Sequence, residues 1–231
     1  MIIYGKNTVL EAVRSKKAIK HIYVTSQNLD LVSSVKNTKV TVKSYKELDQ
    51  MCAGNHQGIA CEVEDYKYKT LQEIINKNKD LENVALCMLD GLEDPHNLGA
   101  ILRTADATGI NGIIIPKNRS VSLNETAAKV STGAIEHVDC CQVTNLTQCL
   151  RELKKAGYWV IGLDMDGSVD YKQQDYTGKI VVIVGSEGKG ISRLVREECD
   201  FTVNIPMIGH VNSLNASVSA SILFYEILRN R

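Results

Sequence analysis

The chain has 231 residues, of which 44% are hydrophobic and 23% charged, and its 27 basic residues balance 27 acidic ones. This composition is typical of a soluble globular protein, and it excludes one that coats nucleic acid through bulk positive charge. Because the sequence has neither an apolar run of roughly 18 residues nor a basic-then-apolar N-terminus, we expect a cytoplasmic protein with no membrane partner.

The first 64 residues alternate between helical and strand-like patterns, which predicts a small α/β domain over residues 1–66. Residues 1–64 carry nine basic against six acidic residues, a net charge of +3, whereas the remainder carries −3. A polar, Lys-rich stretch with one amphipathic turn at 71–75 follows, and we interpret 67–82 as a linker. The predicted helices cover 8–13, 29–36 and 45–51, and the predicted strands cover 21–25, 40–42 and 59–63.

From residue 84 the alternation becomes longer and more regular, which predicts a second α/β domain over residues 83–231. Continuously apolar strands separated by helices favour a parallel sheet that is covered on both faces. In such sheets ligands bind beyond the carboxyl ends of the strands. The predicted strands cover 85–89, 112–116, 158–163 and 179–185, and the predicted helices cover 98–107, 125–130, 146–156, 191–198 and 214–228.

A glycine-rich loop (GSEGKG) follows the predicted strand at 179–185 and leads into a helix. Such a junction brings backbone N–H and C=O groups close to a ligand. It is not a Walker loop, because Gly190 is followed by Ile191, and it lacks the third glycine of the dinucleotide fingerprint. Glu187 has two possible roles at this stage, in cofactor binding or in favourable interaction with a helix N-terminus.

The stretch 90–103 (DGLEDPHNLGAILR) also begins at the end of a predicted strand. Asn97 is either a helix N-cap or a functional side chain. Arg103 lies three residues before Asp106, so an ordinary ion pair would explain it. Alternatively, because the apolar residues of this helix occupy another face, the guanidinium of Arg103 is available to bind a phosphate or a ribose oxygen.

The stretch 205–217 (IPMIGHVNSLNAS) opens the last predicted helix, and its Asn, Ser and Ala residues allow close packing. A cofactor, a subunit interface or a threading chain would each explain such packing. The seven cysteines form no Cys-x-x-Cys pair and the five histidines no i, i+4 pair, so we predict no metal site.

Together, the N-x5-R, GSEGxG and IPMxGxxxSLNxS motifs closely resemble those of the SpoU branch of the SPOUT superfamily. These are RNA ribose 2'-O-methyltransferases that use S-adenosylmethionine. The resemblance covers about residues 84–230. The N-terminal YGKNTVLEAV sequence and the HQG turn at 56–58 resemble the L30e-like substrate-binding domain of the same family. Within the family, the likeness is greatest to bacterial enzymes that methylate a guanosine ribose in 23S rRNA.

The resemblance implies a deep C-terminal trefoil knot, which is a rare exception to unknotted topology. It also implies S-adenosylmethionine as the cofactor, no metal, a homodimer, and RNA rather than DNA as the substrate. The residues that match the catalytic positions of the family are Asn97, Arg103, Glu187, Ser213 and Asn215. Those that match the cofactor-lining positions are Gly185, Ile205 and Leu214.

Methyl transfer to a ribose requires alignment of the 2'-oxygen with the methyl group and removal of the hydroxyl proton. A guanidinium is a poor base at neutral pH, so we interpret Arg103 as a group that positions the ribose and its phosphate and stabilises the developing oxyanion. Three alternatives stay open: a tRNA ribose methyltransferase, an inactive RNA-binding dimer of the same fold, and a methyltransferase that acts on a base.

Overall fold

The computed structural model describes residues 1–15, 18–35, 37–52, 54–167 and 169–231. They form a mixed α/β fold with two sheets, one of four strands near the N-terminus and one of seven strands after it. No helix within these ranges is long and apolar enough to cross a membrane.

The N-terminal sheet has the strand order β1-β4-β2-β3, with β2 and β3 parallel and the other pairs antiparallel. Its strands are β1 (Ile2–Tyr4), β2 (Ile19–Val24), β3 (Lys39–Val42) and β4 (Ile59–Val63). Its α-helices are α1 (Lys6–Arg14) and α2 (Tyr45–Met51). The sequence did not predict β1, which is three residues long and is held by pairing with β4.

The helix predicted at 29–36 is wrong in type and in extent. The segment is instead a 3-10 helix over Ser26–Val32. Asn28, within it, donates a side-chain hydrogen bond to the carbonyl of Gln57, at a distance of 2.9 Å. Asparagine side chains bond readily to nearby backbone groups, which favours tight turns over a regular α-helix.

The second sheet is parallel throughout and has the strand order β7-β6-β5-β10-β8-β11-β9. Its strands are β5 (Val84–Asp90), β6 (Gly112–Pro116), β7 (Cys140–Val143), β8 (Trp159–Leu163), β9 (Val169–Asp170), β10 (Lys179–Gly185) and β11 (Phe201–Asn204). The helices associated with it are α3 (Leu71–Lys77), α4 (Pro95–Thr108), α5 (Glu125–Val130), α6 (Leu146–Lys155), α7 (Arg193–Arg196) and α8 (Ala216–Arg229), with a 3-10 helix at Ala134–Glu136.

Helices cover both faces of this sheet, as the apolar strands predicted. Along β5, Ala85 and Cys87 face a core that includes residues of α4, α5 and α8. The alternate residues Leu86 and Met88 face a second core that includes residues of α3 and α6. The central strands β5, β6 and β10 are therefore buried on both sides, and their ends are the parts that a ligand can reach.

The segment interpreted as a linker contains a packed helix. Thr70 caps α3, and Ile74 of this helix is buried in the same core as Leu86 of β5. Just before the helix, Lys69 forms a β-bridge with Cys141 of β7. Residues 69–77 thus pack against the large sheet.

Candidate active site

Three loops that carry the sequence motifs lie at one edge of the large sheet. They follow β5, β10 and β11, which are parallel members of the sheet, so their carboxyl ends share this edge. β5 and β10 pair in register up to their last residues, with Asp90 opposite Gly185. The Asp90 carboxylate then accepts a hydrogen bond from the backbone N–H of Ser192, 2.7 Å away, which ties the first loop to the second.

The first loop leads into α4, and Asp94 is the N-cap of this helix. Its carboxylate accepts from the backbone N–H of His96, and Pro95 occupies the first turn. The alternative role of Asn97 as the N-cap is therefore wrong. Asn97 lies inside the helix and is only 6% exposed. Its Nδ2 donates to Oε1 of Glu187 in the second loop, at a distance of 2.9 Å.

The second loop is a tight turn that closes between Ser186 and Gly190. The backbone N–H of each donates to the carbonyl of the other, at 3.2 and 2.9 Å. A Cβ on Gly185 would lie 2.1 Å from the carbonyl carbon of Gly190, so no side chain fits at this position. The turn presents Glu187 towards α4.

The third loop contributes Asn215, the N-cap of α8. Its Oδ1 accepts from the backbone N–H groups of Ser217 and Val218, at 2.9 and 3.3 Å. Its Nδ2 donates to Oδ1 of Asn97 at 2.9 Å and to Oε1 of Glu187 at 2.5 Å. Asn97, Glu187 and Asn215, here called the amide–carboxylate cluster, thus connect one residue from each motif.

A cavity of about 640 Å³ opens beside the amide–carboxylate cluster. This volume lies within the range of small-molecule binding sites. The cavity is lined by the loops after β8, β10 and β11 together with the start of α8, and no residue between 91 and 143 lines it. The residues proposed from sequence that line it are Gly185, Glu187, Ile205, Ser213 and Leu214.

The loop after β8 also contributes to the cavity, which the three sequence motifs did not indicate. Asp164 and Asp166 line the cavity, and the Asp164 carboxylate pairs with Arg196 at 3.2 Å. Their position directly after a predicted buried strand is a signal that could have identified them. Within the described ranges, no group of three or more His, Cys, Asp or Glu side chains is placed to hold a metal ion.

In the folded chain, Arg103 lies away from both the cavity and the amide–carboxylate cluster. It is exposed on α4, and it neither lines the cavity nor contacts the amide–carboxylate cluster. The alternative ion pair with Asp106 does not form, and Arg103 makes no hydrogen bond or ion pair with any described residue. The structure therefore brings together seven of the eight residues singled out from sequence, within the cavity or the cluster, and leaves the guanidinium of Arg103 unpaired.

Comparison with protein families matches nearly the whole chain to two sequence profiles. The profile of the SpoU rRNA Methylase family matches residues 83–225. The profile described as RNA 2'-O ribose methyltransferase substrate binding matches residues 2–69.

Two relatives from Staphylococcus haemolyticus and Staphylococcus aureus, which are named as TrmH family tRNA/rRNA methyltransferases, are 46% and 44% identical. Each match spans the full chain and 96% of the relative. The SpoU methyltransferase AviRb from Streptomyces viridochromogenes, solved in complex with AdoMet, has the same fold at a TM-score of 0.85 and 23% identity, over 99% of this chain and 89% of that one.

An AdoMet-bound rRNA methyltransferase from Sinorhizobium meliloti is 25% identical at a TM-score of 0.85, over 99% of this chain and 86% of that one. A TrmH/SpoU tRNA-modifying enzyme from A. aeolicus is 30% identical at a TM-score of 0.59, over 70% of this chain and 84% of that one. The match to the family profile covers more than half of the chain, and full-length relatives exceed 40% identity. The chain therefore belongs to the SpoU/TrmH family of RNA methyltransferases.

Proposed function

We propose that this protein transfers the methyl group of S-adenosylmethionine (AdoMet) to a ribose 2'-hydroxyl of RNA, and that its substrate is a guanosine of 23S rRNA. The observation that carries the proposal is the amide–carboxylate cluster, which joins all three motifs at the rim of a cavity of about 640 Å³. The related S. meliloti enzyme is described as AdoMet-bound, which supports the same cofactor here.

The cavity suits this cofactor in volume and in polarity. Gly185 leaves no room for a side chain, so it allows the tight closure of the turn that lines the cavity. Ile205 and Leu214 offer apolar surface, and the carboxylates of Asp166 and Glu187 offer negative charge to a cationic sulfonium. The bound cofactor supplies an electrophilic methyl group, so the protein has to align the acceptor and manage its proton.

We assign the alignment of the acceptor to Arg103 and the geometry of the site to the amide–carboxylate cluster. The guanidinium of Arg103 is exposed and has no partner among the described residues, so it is available to bind the ribose and an adjacent phosphate and to stabilise negative charge on the 2'-oxygen. Glu187 accepts from two amide groups and holds the three loops together. Ser213, exposed on the cavity wall, is placed to contact the cofactor or the ribose.

We infer a division of labour along the chain. Residues 1–66, of which the first 64 carry a net charge of +3, bind RNA, and residues 83–231 carry out catalysis. We also infer that the C-terminal part forms a trefoil knot, as the family resemblance implies. The strand order supports this inference, because β10 lies between β5 and β8, which come before it in the chain, and α8 contacts α4 and β10.

We propose that the enzyme acts as a homodimer whose interface includes the outer face of α8. Val218, Tyr225 and Leu228 form an apolar stripe on this face and are 46–57% exposed. Ser221, in the same stripe, bonds through its hydroxyl to that of Thr104 on α4, 3.0 Å away. A second copy packed here would therefore lie beside Arg103 and could bring this residue into a shared site.

The choice of rRNA over tRNA rests on the N-terminal domain. The rRNA methyltransferase from S. meliloti matches 99% of this chain, whereas the tRNA-modifying enzyme from A. aeolicus matches 70%. A domain of this kind provides an RNA-binding surface beyond the catalytic core. The tRNA enzyme remains the alternative within the family.

Transfer of labelled methyl from AdoMet to unmodified 23S rRNA and to bulk tRNA tests the proposal, with Arg103→Ala compared with wild type. We expect 23S rRNA to be labelled as a ribose 2'-O-methyl nucleoside, and Arg103→Ala to abolish labelling while calorimetry shows nearly unchanged AdoMet affinity. Labelling of tRNA alone would identify tRNA, not 23S rRNA, as the substrate. Labelling of a base would contradict the 2'-O assignment. AdoMet binding without labelling of either RNA would favour an inactive RNA-binding dimer.

A further inference from the structure

The cofactor cavity occupies only one side of the motif-bearing edge of the large sheet. The loops after β8, β10 and β11 line it, whereas the loops after β5 and β6 do not. Those two loops are neighbours, because β5 and β6 pair in the sheet. They form a protein surface beside the cavity but outside its lining.

The loop after β6 begins with residues 117–120 (KNRS), here called the basic loop. Its backbone is fixed at both ends. Lys117 donates its N–H to the carbonyl of Val143 at 2.9 Å. The hydroxyl of Ser120 and the N–H of Val121 both donate to the carbonyl of Leu92, at 3.0 and 2.7 Å. The basic loop is thus held against the segment that leads into α4, the helix that carries Arg103.

The arginines of the chain fall into two groups. All eight lie in the described ranges, and six of them pair with carboxylates or donate to backbone carbonyls. Arg103 and Arg119 make no hydrogen bond or ion pair with any described residue. A planar guanidinium matches phosphate geometry, so an unpaired arginine beside an RNA methyltransferase site suits an RNA backbone.

Arg119 also has an unusual backbone conformation. Its φ of 53° lies in the left-handed region, which costs free energy for a residue with a side chain. Lys117 is exposed two residues earlier and its ammonium has no partner among the described residues. The acidic neighbour Glu93 is also exposed and pairs with neither cation. Two free positive charges are therefore held on an anchored and locally strained loop.

We propose that the basic loop binds the phosphates of the nucleotides that flank the acceptor ribose, with Arg119 as the principal contact and Lys117 as the second. The proposal rests on the proposed function, because it identifies how the RNA approaches that site. The cofactor would then enter from the side of β8, β10 and β11, and the RNA from the side of β5 and β6. Arg103 would lie on the helix between the RNA-binding loop and the subunit interface.

The test compares RNA binding and methyl transfer in variants that remove charge without removing the loop conformation. Arg119→Asn is the appropriate change, because asparagine tolerates a left-handed backbone better than alanine does. Lys117→Gln removes the second charge. Lys155→Gln is the matched control, since Lys155 is exposed and unpaired among the described residues, at the end of α6 before β8, and so at the opposite edge of the sheet.

Filter binding to transcripts of 23S rRNA and tRNA, at several salt concentrations, gives the affinity and its salt dependence. We expect Arg119→Asn to weaken RNA binding and raise the KM for RNA by about tenfold, with AdoMet affinity unchanged. The slope of log affinity against log salt should fall by roughly 0.7–0.9 for each charge removed. Arg119→Lys should recover part of the loss.

Three results would overturn the proposal. The first is an unchanged salt slope and KM for RNA in the Lys117→Gln/Arg119→Asn double variant. The second is an equal loss of RNA affinity in Lys155→Gln, and the third is a loss of AdoMet affinity that accounts for the whole effect. Failure of the proposed function is distinguishable, because wild type would then label no RNA. In that case the binding data alone decide whether the basic loop contacts RNA. Equal RNA binding by wild type and the double variant would overturn its role.

Discussion

The side chains of Asn97 and Glu187 lie 2.9 Å apart, Nδ2 to Oε1, although 90 positions separate them in the chain. Asn215 donates to the same carboxylate oxygen from a third loop. One carboxylate thus fixes three loops that come from three separate strand ends. The cluster accounts physically for the presence of Asn, Glu and Asn in the three motifs, because each side chain supplies the hydrogen-bonding group that another lacks.

The first prediction concerns removal of a buried member of this cluster. Asn97→Ala should lower the free energy of unfolding by about 1–3 kcal/mol, because Glu187 and Asn215 each lose a hydrogen bond to it in a partly buried site. It should also abolish methyl transfer, since the loops lose their mutual alignment. Denaturant unfolding and labelled-methyl transfer measure the two effects. A coupling energy near zero between Asn97→Ala and Asn215→Ala would contradict the cluster as a unit.

Asn76→Ala is the control for this change. Asn76 is exposed on α3, and among the described residues its side chain bonds only to Gln72 of the same helix, accepting from Nε2 at 2.9 Å. We expect its removal to change the free energy of unfolding by no more than about 0.5 kcal/mol and to leave methyl transfer intact. A comparable loss in this variant would mean that any asparagine deletion disturbs the enzyme.

The second prediction concerns the absence of a side chain at Gly185. Gly185→Ala should impair AdoMet binding, because a Cβ would lie 2.1 Å from the carbonyl carbon of Gly190 and 2.4 Å from the backbone N of Ile191. Backbone atoms cannot move aside as a flexible side chain can, so the turn that carries Glu187 has to open. Isothermal calorimetry with AdoMet measures the loss, which we expect to be at least about tenfold.

Gly209→Ala is a matched control for Gly185→Ala within the same cavity. Gly209 lines the cavity, yet no atom lies within 4 Å of a Cβ built there. We therefore expect AdoMet affinity close to that of wild type. Equal losses of AdoMet affinity in the two variants would indicate that the cavity tolerates no added methyl group at either position. Such a result would contradict a specific role for the turn at Gly185.

Local patterns predicted much of this fold. The strands at 112–116 and 179–185 and the helices at 45–51 and 125–130 have the bounds that their apolar periodicity indicates. The strands β7, β9 and β11 were not predicted. They are two to four residues long, and each of them contains at least one polar residue, so pairing with a neighbouring strand rather than local sequence defines them.

The candidate site was predicted less completely than the fold, because some of its features depend on local sequence and others on tertiary packing. The N-cap of α4 could have been predicted, because Pro95 favours the first helical position and so indicates Asp94 as the cap. The contacts of Asn97 could not, since they depend on the packing of three loops distant in sequence. The position of Arg103 outside the cavity likewise depends on the path of α4 across the sheet.

The third prediction concerns pH and the C-terminal end of α8. Hydrogen bonds from Arg229 hold the pKa of Glu226 below its ordinary value, and Asn230 also donates to this carboxylate, at 3.0 Å. Because the pKa is lower in the folded state, Glu226 contributes stability above its ordinary pKa and loses it as the pH falls through the folded pKa. Glu226→Gln should therefore lower Tm at pH 7, by an amount that shrinks with acidification.

Thermal unfolding followed by circular dichroism from neutral to acidic pH measures this difference in Tm. Glu93→Gln is the control, since Glu93 is exposed and unpaired among the described residues. It should unfold with the same pH dependence as wild type. A difference between Glu226→Gln and wild type that stays constant down to acidic pH would show that the ionised carboxylate is not the stabilising group.

The fourth prediction concerns the proposed dimer. Tyr225 is 57% exposed in the single chain and lies in the apolar stripe of α8 between Val218 and Leu228. In a two-fold interface the same stripe of each copy contributes, so one substitution places two new charges in a shared buried region. Tyr225→Glu should therefore weaken self-association by at least about tenfold, as measured by light scattering over a range of concentrations.

Leu81→Glu is the control for the dimer, because it adds the same charge at an apolar residue that is 48% exposed and lies outside α8. Self-association should then match that of wild type. Since Ser221 of the stripe bonds to Thr104, next to Arg103, loss of the dimer should also reduce methyl transfer even though Tyr225 lines no part of the cavity. A monomeric Tyr225→Glu variant with full activity would show that Arg103 acts within its own chain, and would separate the dimer from catalysis.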